Sequence, residues 1–275
     1  TVFLDGVAAN NRAVAVSKYT SGNITGIELI ERNLSIGAAD NQTITNADLS
    51  QYDYSASTND ADLFFDVDAS NNLNVDVNAA FSDEKLYVKT GNIYQPDSSG
   101  AQKIITSVNF ENNGTSTLNG TIWRLAGSWK NAGNLNYGTS TVEFGGTGTI
   151  DDTNGVFYKL TASSTASITA TSTFAVSDVF FIDGTFSINS GKTITASSTI
   201  TLNGTISGSG TFKITSNNVP TGGALNAAAI VDLTSAAITI PARTFGANLT
   251  ILNTGTTNRT ATVAAGTVTV SGGLD

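Results

Sequence analysis

Residues 119–146, NGTIWRLAGSWKNAGNLNYGTSTVEFGG, alternate apolar residues with small polar ones and are interrupted every few positions by Gly or Asn-Gly. Similar phrases return at 182–191 (IDGTFSINSG), 201–216 (TLNGTISGSGTFKITS) and 264–273 (AAGTVTVSGG). Alternation with a period of two places successive side chains on opposite faces of an extended strand. Gly and Asn supply the left-handed backbone conformations that other residues resist. These stretches therefore predict short β-strands joined by tight corners.

The same alternation runs through most of the chain, as in Leu73, Val75 and Val77, with Thr, Ser and Asn on the outer positions. The fold class is therefore all-β with few or no helices, and the Ala-rich stretch 226–232 is the one place where a short helix is possible. Two architectures remain open. One is a parallel β-helix-like solenoid with turns of uneven length, since the G-T-[IFV] phrases recur without a fixed period. The other is a tandem β-sandwich, whose hairpins would turn at Asn-Gly pairs such as 113–114, 119–120 and 203–204.

Composition divides the chain near residue 100. Residues 1–100 form a β region that carries most of the acidic residues, whereas residues 101–275 form a plainer, repetitive region rich in Gly and Thr. Residues 1–20 contain two strand-like pieces, and a strand at the edge of a sheet can pair with another chain. We expect these residues either to act as a donor strand for a neighbouring copy or to pair within their own chain.

Charge and missing residue types exclude several classes of function. The chain has 275 residues, 40% hydrophobic and 13% charged, and a formal net charge of −9. It lacks the Lys/Arg clusters that neutralise nucleic-acid phosphates and any apolar run of the ~20 residues that cross a membrane. With no His and no Cys it has no triad base, thiol nucleophile or usual zinc ligand. The carboxylate pairs Asp151–Asp152 and Asp178–Asp183 lie in turn-like sequence, so no enzyme is predicted.

The middle of the chain carries a longer phrase of four parts, which read W-x-N-x-G, S-T-V-x-F-G, F-Y-x-L and G-T-F-x-I-x-x-G. The matching residues are Trp129, Asn131, Gly133, Ser140, Thr141, Val142, Phe144, Gly145, Phe157, Tyr158, Leu160, Gly184, Thr185, Phe186, Ile188 and Gly191. This phrase resembles the β-rich repeats of large bacterial surface and adhesin-like proteins. The resemblance implies an extracellular β-solenoid or β-sandwich stalk, and it carries no catalytic residues.

Two groups of side chains are candidate binding sites. Asp66 and Asp68 are two residues apart, so on a strand they share one face, where they offer the oxygen ligands that calcium prefers. Their spacing is not that of an EF-hand. A solvated strand face is the simpler interpretation. Trp123, Trp129 and Tyr137 could stack on surface glycans, and packing in the core is the simpler interpretation of these rings. Calcium is therefore the one cofactor that the sequence suggests, and no other is expected.

N-x-S/T motifs are frequent and would be glycosylated if the protein is secreted by a host that glycosylates. The acceptor positions are Asn23, Asn33, Asn41, Asn113, Asn119, Asn203, Asn248 and Asn258. Taken together, the sequence predicts an extracellular structural protein, a subunit of a cell-surface filament, stalk or layer that self-associates through β-strands. The alternative is a glycan-binding adhesin or phage tail-fibre module. The absence of an initial Met agrees with removal of a secretion signal or with a fragment of a longer chain.

Overall fold

The described residues form a parallel β-solenoid of about 11 turns, and 52% of them lie in strands and 2% in helix. The computed structural model describes residues 2–4, 13–18, 27–37, 42–51, 65–75, 83–97, 101–153, 155–233 and 237–275. It divides into two compact units, Thr1–Thr141 and Val142–Asp275. The all-β prediction is confirmed, and the solenoid is the correct one of the two architectures that the sequence left open.

The first unit builds three sheets from short strands and one helical turn. Its elements are β1 (Val2–Leu4), β2 (Ala13–Val16), β3 (Asn33–Ile36), β4 (Thr43–Ile44), α1 (Asn46–Leu49), β5 (Phe65–Val67), β6 (Leu73–Val75), β7 (Lys85–Val88), β8 (Ile93–Tyr94), β9 (Ile104–Ser107), β10 (Asn109–Asn112), β11 (Thr115–Thr117), β12 (Ile122–Leu125), β13 (Trp129–Asn131) and β14 (Asn134–Asn136); the unit boundary follows the first residue of β15 (Thr141–Phe144). The strand orders are β1-β2-β3-β7-β10-β13, β4-β8-β11-β14 and β5-β6-β9-β12.

The second unit repeats this plan with longer strands at its start. Its strands are β16 (Thr147–Asp152), β17 (Val156–Ala162), β18 (Ser167–Ala170), β19 (Phe174–Ile182), β20 (Thr185–Ile188), β21 (Thr193–Ala196), β22 (Thr199–Leu202), β23 (Thr205–Gly208), β24 (Thr211–Ile214), β25 (Ala224–Leu225), β26 (Ala228–Asp232), β27 (Ile238–Ile240), β28 (Thr244–Phe245), β29 (Leu249–Leu252), β30 (Ala261–Val263) and β31 (Thr269–Val270). The orders are β16-β18-β20-β23-β25-β28-β31 and β17-β19-β21-β24-β26-β29, with β22 also on β19, and β27-β30. The Ala-rich stretch 226–232 thus contributes a strand, and the idea of a helix there is wrong.

Successive turns differ in length at their corners, yet each strand pairs with its neighbour in the next turn, with one register shift in β17–β19 between Phe157 and Lys159. Thr211 pairs with Ala228, 17 residues further on, whereas Thr147 pairs with Ser167, 20 residues further on. In the first unit Asn33 pairs with Lys85, and the long excursion between them contains α1, β5 and β6. Uneven corner length is the reason that no fixed period is visible in the sequence.

The Asn-Gly pairs form corners between parallel strands, and the hairpin interpretation of them is wrong. Asn203 and Gly204 both donate their backbone N–H groups to the carbonyl of Ile182 in the preceding turn, at 2.8 and 3.0 Å. Asn113 and Gly114 share the Val88 carbonyl in the same way, at 2.8 and 3.1 Å. Each corner therefore extends the backbone ladder between turns.

The core consists of columns of inward side chains that repeat from turn to turn. In the second unit the register stacks Phe186 between Ile168 and Ile206, and all three are at most 1% exposed. The neighbouring outward positions, such as Ser167, Thr185 and Thr205, carry hydroxyl groups on the outer face. Alternation in the sequence thus becomes an apolar inside and a hydroxyl-rich outside.

The described segments of residues 1–20 pair within their own chain. β1 lies antiparallel on β2, with Phe3 opposite Val14, and β2 is parallel to β3. The donor-strand prediction is therefore wrong for these segments, and its alternative describes them. The antiparallel pair β5–β6 likewise ends the third sheet of this unit. The boundary between the two units, at residue 141, does not coincide with the change in composition near residue 100, where acidic residues become less frequent.

Candidate functional site

Asp66 and Asp68 lie where the sequence places them, on the solvent side of β5, while Phe65 and Val67 are buried. The Asp68 carboxylate closes the β5–β6 turn. Its Oδ1 accepts hydrogen bonds from the backbone N–H groups of Ser70 and Asn72 at 2.8 and 2.9 Å, and its Oδ2 accepts one from Asn72 Nδ2 at 2.8 Å.

These hydrogen bonds explain the acidity of Asp68. Those from the Asn72 backbone and side chain hold the pKa of Asp68 below its ordinary value. No cluster of three or more His, Cys, Asp or Glu side chains suited to a metal ion exists in the described part of the chain. The role that the structure supports for Asp68 is to cap a turn, and calcium binding at Asp66 and Asp68 stays a prediction.

Replacing Asp68 with Ala is expected to lower the free energy of unfolding by about 1 kcal/mol at neutral pH, because the turn loses its hydrogen-bond acceptors. The pKa of Asp68 is lower in the folded protein than in the unfolded chain, so Asp68 contributes its full stabilisation at any pH well above the ordinary Asp pKa. It is lost as pH falls through the lowered folded pKa, so wild type and variant should converge in acid. Urea titrations across that range measure the difference. If added calcium stabilises the wild type but not the variant, the calcium prediction is confirmed.

The aromatic residues predicted to bind glycans form the core of the first unit. Trp123 and Trp129 are 0% exposed and Tyr137 is 9% exposed. Phe110 lies with its ring centroid 4.5 Å from each indole ring, and the indoles are 5.7 Å apart in an edge-to-face arrangement. Trp123 Nε1 donates to Thr121 Oγ1 at 2.8 Å, so even its polar atom is satisfied inside. A sugar ring has no access to these faces, and the glycan-binding prediction at these residues is wrong.

The possible glycosylation positions differ in exposure. Asn203, Asn248 and Asn258 are exposed, whereas Asn33 is 3% exposed within β3, which makes it a poor acceptor. The half-buried side chains of Asn113 and Asn119 donate hydrogen bonds, to the Tyr87 hydroxyl at 3.2 Å and to the Asp97 carbonyl at 3.0 Å. Asn23 and Asn41 lie outside the described residues. The structure thus leaves three well-exposed acceptors for the prediction.

The carboxylate pair Asp151–Asp152 does not converge on one site. Asp151 is exposed and Asp152 is 0% exposed, because they are neighbours on β16 and face opposite sides. Asp178 instead lies near Lys159, with Asp178 Oδ2 3.7 Å from Lys159 Nζ. Asp151 and Asp152 end β16 and Asp178 lies within β19, so the prediction that these residues lie in turns is wrong.

The structure also assembles a polar cluster that the sequence analysis missed. Asp232, at the end of β26, is only 1% exposed, and its Oδ2 lies 2.8 Å from Lys213 Nζ on β24. Thr254, just after β29, donates its hydroxyl and its backbone N–H to the same carboxylate. The available signal was a single charge in the apolar run LNAAAIVDL (225–233). Three consecutive turns contribute one residue each, and only the fold brings them together.

No protein-family model, curated protein or solved structure matches this chain. Within the described ranges, no helix has the length and hydrophobicity needed to span a lipid bilayer. The function therefore has to be argued from the solenoid and its surfaces.

Proposed function

We propose that this chain is an extracellular structural protein, a subunit of a cell-surface filament, stalk or layer that associates with itself through β-strand contacts and turns over no substrate. The observation that carries the proposal is the ladder of parallel strands with a core that repeats in every turn. In such a scaffold each turn contacts mainly its neighbours, so length can be added without redesigning the core. Extracellular exposure agrees with a surface rich in Thr, Ser and Asn and with the surface-protein repeats that the central phrase resembles.

The turn that contains β30 and β31 supplies a surface for self-association. Two sheets of the second unit have an edge at these strands, and residues 273–275 hydrogen-bond along β29. Val263 continues the column of Ile240, and Leu274 continues that of Leu249. Both positions are apolar yet 55% and 64% exposed, whereas Ile240 and Leu249 are 1% exposed. Strand edges with exposed apolar side chains favour pairing with a further strand.

Replacing Val263 with Lys is expected to abolish self-association, because a charge would have to be buried in the core column that the contact extends. Val156→Lys is the matched control, since Val156 is 49% exposed but lies on β17, inside a sheet. Sedimentation velocity over a range of concentrations, with electron microscopy of the largest species, measures the effect. Monomeric wild type at all concentrations, or equal loss in both variants, would refute assembly through this turn. Antibody labelling of intact source cells tests the extracellular location.

A further inference from the structure

The cluster formed by Lys213, Asp232 and Thr254 brings an amine and a hydroxyl from neighbouring turns against a buried carboxylate. Lys213 Nζ lies 2.8 Å from Asp232 Oδ2, and the two side chains are 28% and 1% exposed. Lys213 and Asp232 belong to adjacent parallel strands, β24 and β26, whose register places Lys213 opposite Ile230. We propose that the side chains of Lys213 and Asp232 join in an amide bond that links these two turns covalently.

The step is a condensation and needs no oxidant or further reactant. The Lys213 ammonium first passes one proton to the Asp232 carboxylate, which gives a neutral amine and a neutral acid. The amine nitrogen then attacks Asp232 Cγ, an N–C bond forms, and one C–O bond breaks. The leaving oxygen departs as water with the acid proton and one amine proton. Burial of the Asp232 carboxylate limits its solvation by water, and the fixed approach of Lys213 replaces a bimolecular encounter.

Thr254 is placed to stabilise the charge that develops on the carbonyl oxygen. Its Oγ1 lies 2.9 Å from Asp232 Oδ2 and 3.1 Å from Oδ1, and its backbone N–H donates to Oδ1 at 3.3 Å. Two donors aimed at one carboxylate oxygen form the arrangement that stabilises tetrahedral intermediates in acyl transfer. The Thr254 hydroxyl also contacts Asp232 Oδ2, the oxygen nearest the amine, where it can relay the amine proton to the leaving oxygen by giving up its own proton and taking the amine proton in exchange.

Other Lys–carboxylate pairs in the described residues lack one of these features, which makes them internal controls. Glu111 is shared by Lys85 and Lys130 at 2.9 and 3.1 Å. Burial raises the pKa of Glu111, but hydrogen bonds from both lysines outweigh it and keep the pKa lowered. Glu111 therefore stays ionised and unreactive. Lys159 and Asp178 are 3.7 Å apart, and their side chains are 39% and 33% exposed, so this pair lacks both the close approach and the burial of Lys213 and Asp232.

Mass spectrometry of the purified full chain tests the proposal independently of self-association and of the proposed function. The expected intact mass is lower than that of the sequence by one water, and proteolysis should give one branched peptide joining positions 213 and 232. Lys213→Arg should restore the full mass, whereas Lys159→Arg should keep the loss. Thr254→Val should give a mixture with mostly unlinked chain. Wild-type protein with the full sequence mass, or a water loss that persists in Lys213→Arg, overturns the proposal even if another variant fails to fold.

Discussion

Replacing Trp123 with Ala is expected to lower the free energy of unfolding by about 3–5 kcal/mol. The indole is 0% exposed and lies between Phe110 and Trp129, with Tyr94 at 6.2 Å in an edge-to-face arrangement. Truncation removes these contacts and leaves a cavity that a rigid stack of strands closes only in part. It also leaves Thr121 Oγ1 without the donor at Trp123 Nε1.

Urea unfolding followed by far-ultraviolet circular dichroism measures this effect. Trp123→Phe keeps an aromatic ring in place and should cost clearly less than Trp123→Ala. Val156→Ala, at an exposed position, should change stability by no more than about 0.5 kcal/mol. A Trp123→Ala variant as stable as Val156→Ala would show that the indole is on the surface and would restore the glycan-binding prediction.

Replacing Gly204 with Ala is expected to cost about 1–3 kcal/mol or more, although the change adds a single methyl group. A Cβ atom at Gly204 would run into the backbone carbonyl oxygen of Gly184, at the corner of the preceding turn. The next corner repeats the contact, since a Cβ at Gly223 would meet the carbonyl oxygen of Gly204. The backbone at these corners cannot move away without breaking the ladder on either side.

The chain contains a matched control for this substitution. Gly120 occurs in the same tripeptide, Asn-Gly-Thr, at 119–121, but a Cβ there would meet only Thr139 Oγ1, at 3.4 Å. Because the local sequence is the same, the two substitutions have similar effects on the unfolded chain, and their difference reports the folded corner. Thermal or urea unfolding of the two variants should separate them by at least about 1 kcal/mol. Equal stability of the two variants would mean that close stacking of the corners does not hold the turns together.

The periodic part of the fold could be predicted from the sequence because it depends on local chemistry. Alternation at Leu73 and Val75 or at Phe186 and Ile188 identifies the buried face of each strand, and the structure buries all four residues. Strand direction could not be predicted, because Asn-Gly satisfies both a hairpin turn and a corner between parallel strands. The repeat period was not visible in the sequence either, because the corners differ in length. One turn takes 17 residues and another takes 20, yet both pair their strands in parallel.

The candidate sites were predicted less well because exposure is a property of the whole fold. Trp129 has the residue type of a sugar platform, but the strands place it against Phe110 and Tyr137. Asp68 has the residue type of a calcium ligand, but its oxygens are used by the turn that follows it. Residue type indicates which contacts a side chain can make, and only the packing around it selects one of them.

The sequence by itself determined that this protein is built from short strands with an apolar and a hydroxyl-bearing face, because side-chain direction in an extended chain alternates with each residue. Tertiary structure alone decided that the strands run parallel and that the indoles face inward. It also decided that Lys213, Asp232 and Thr254 meet. Those outcomes depend on hydrogen bonds and contacts between residues about 20 positions apart, and no local pattern specifies which turn stacks on which.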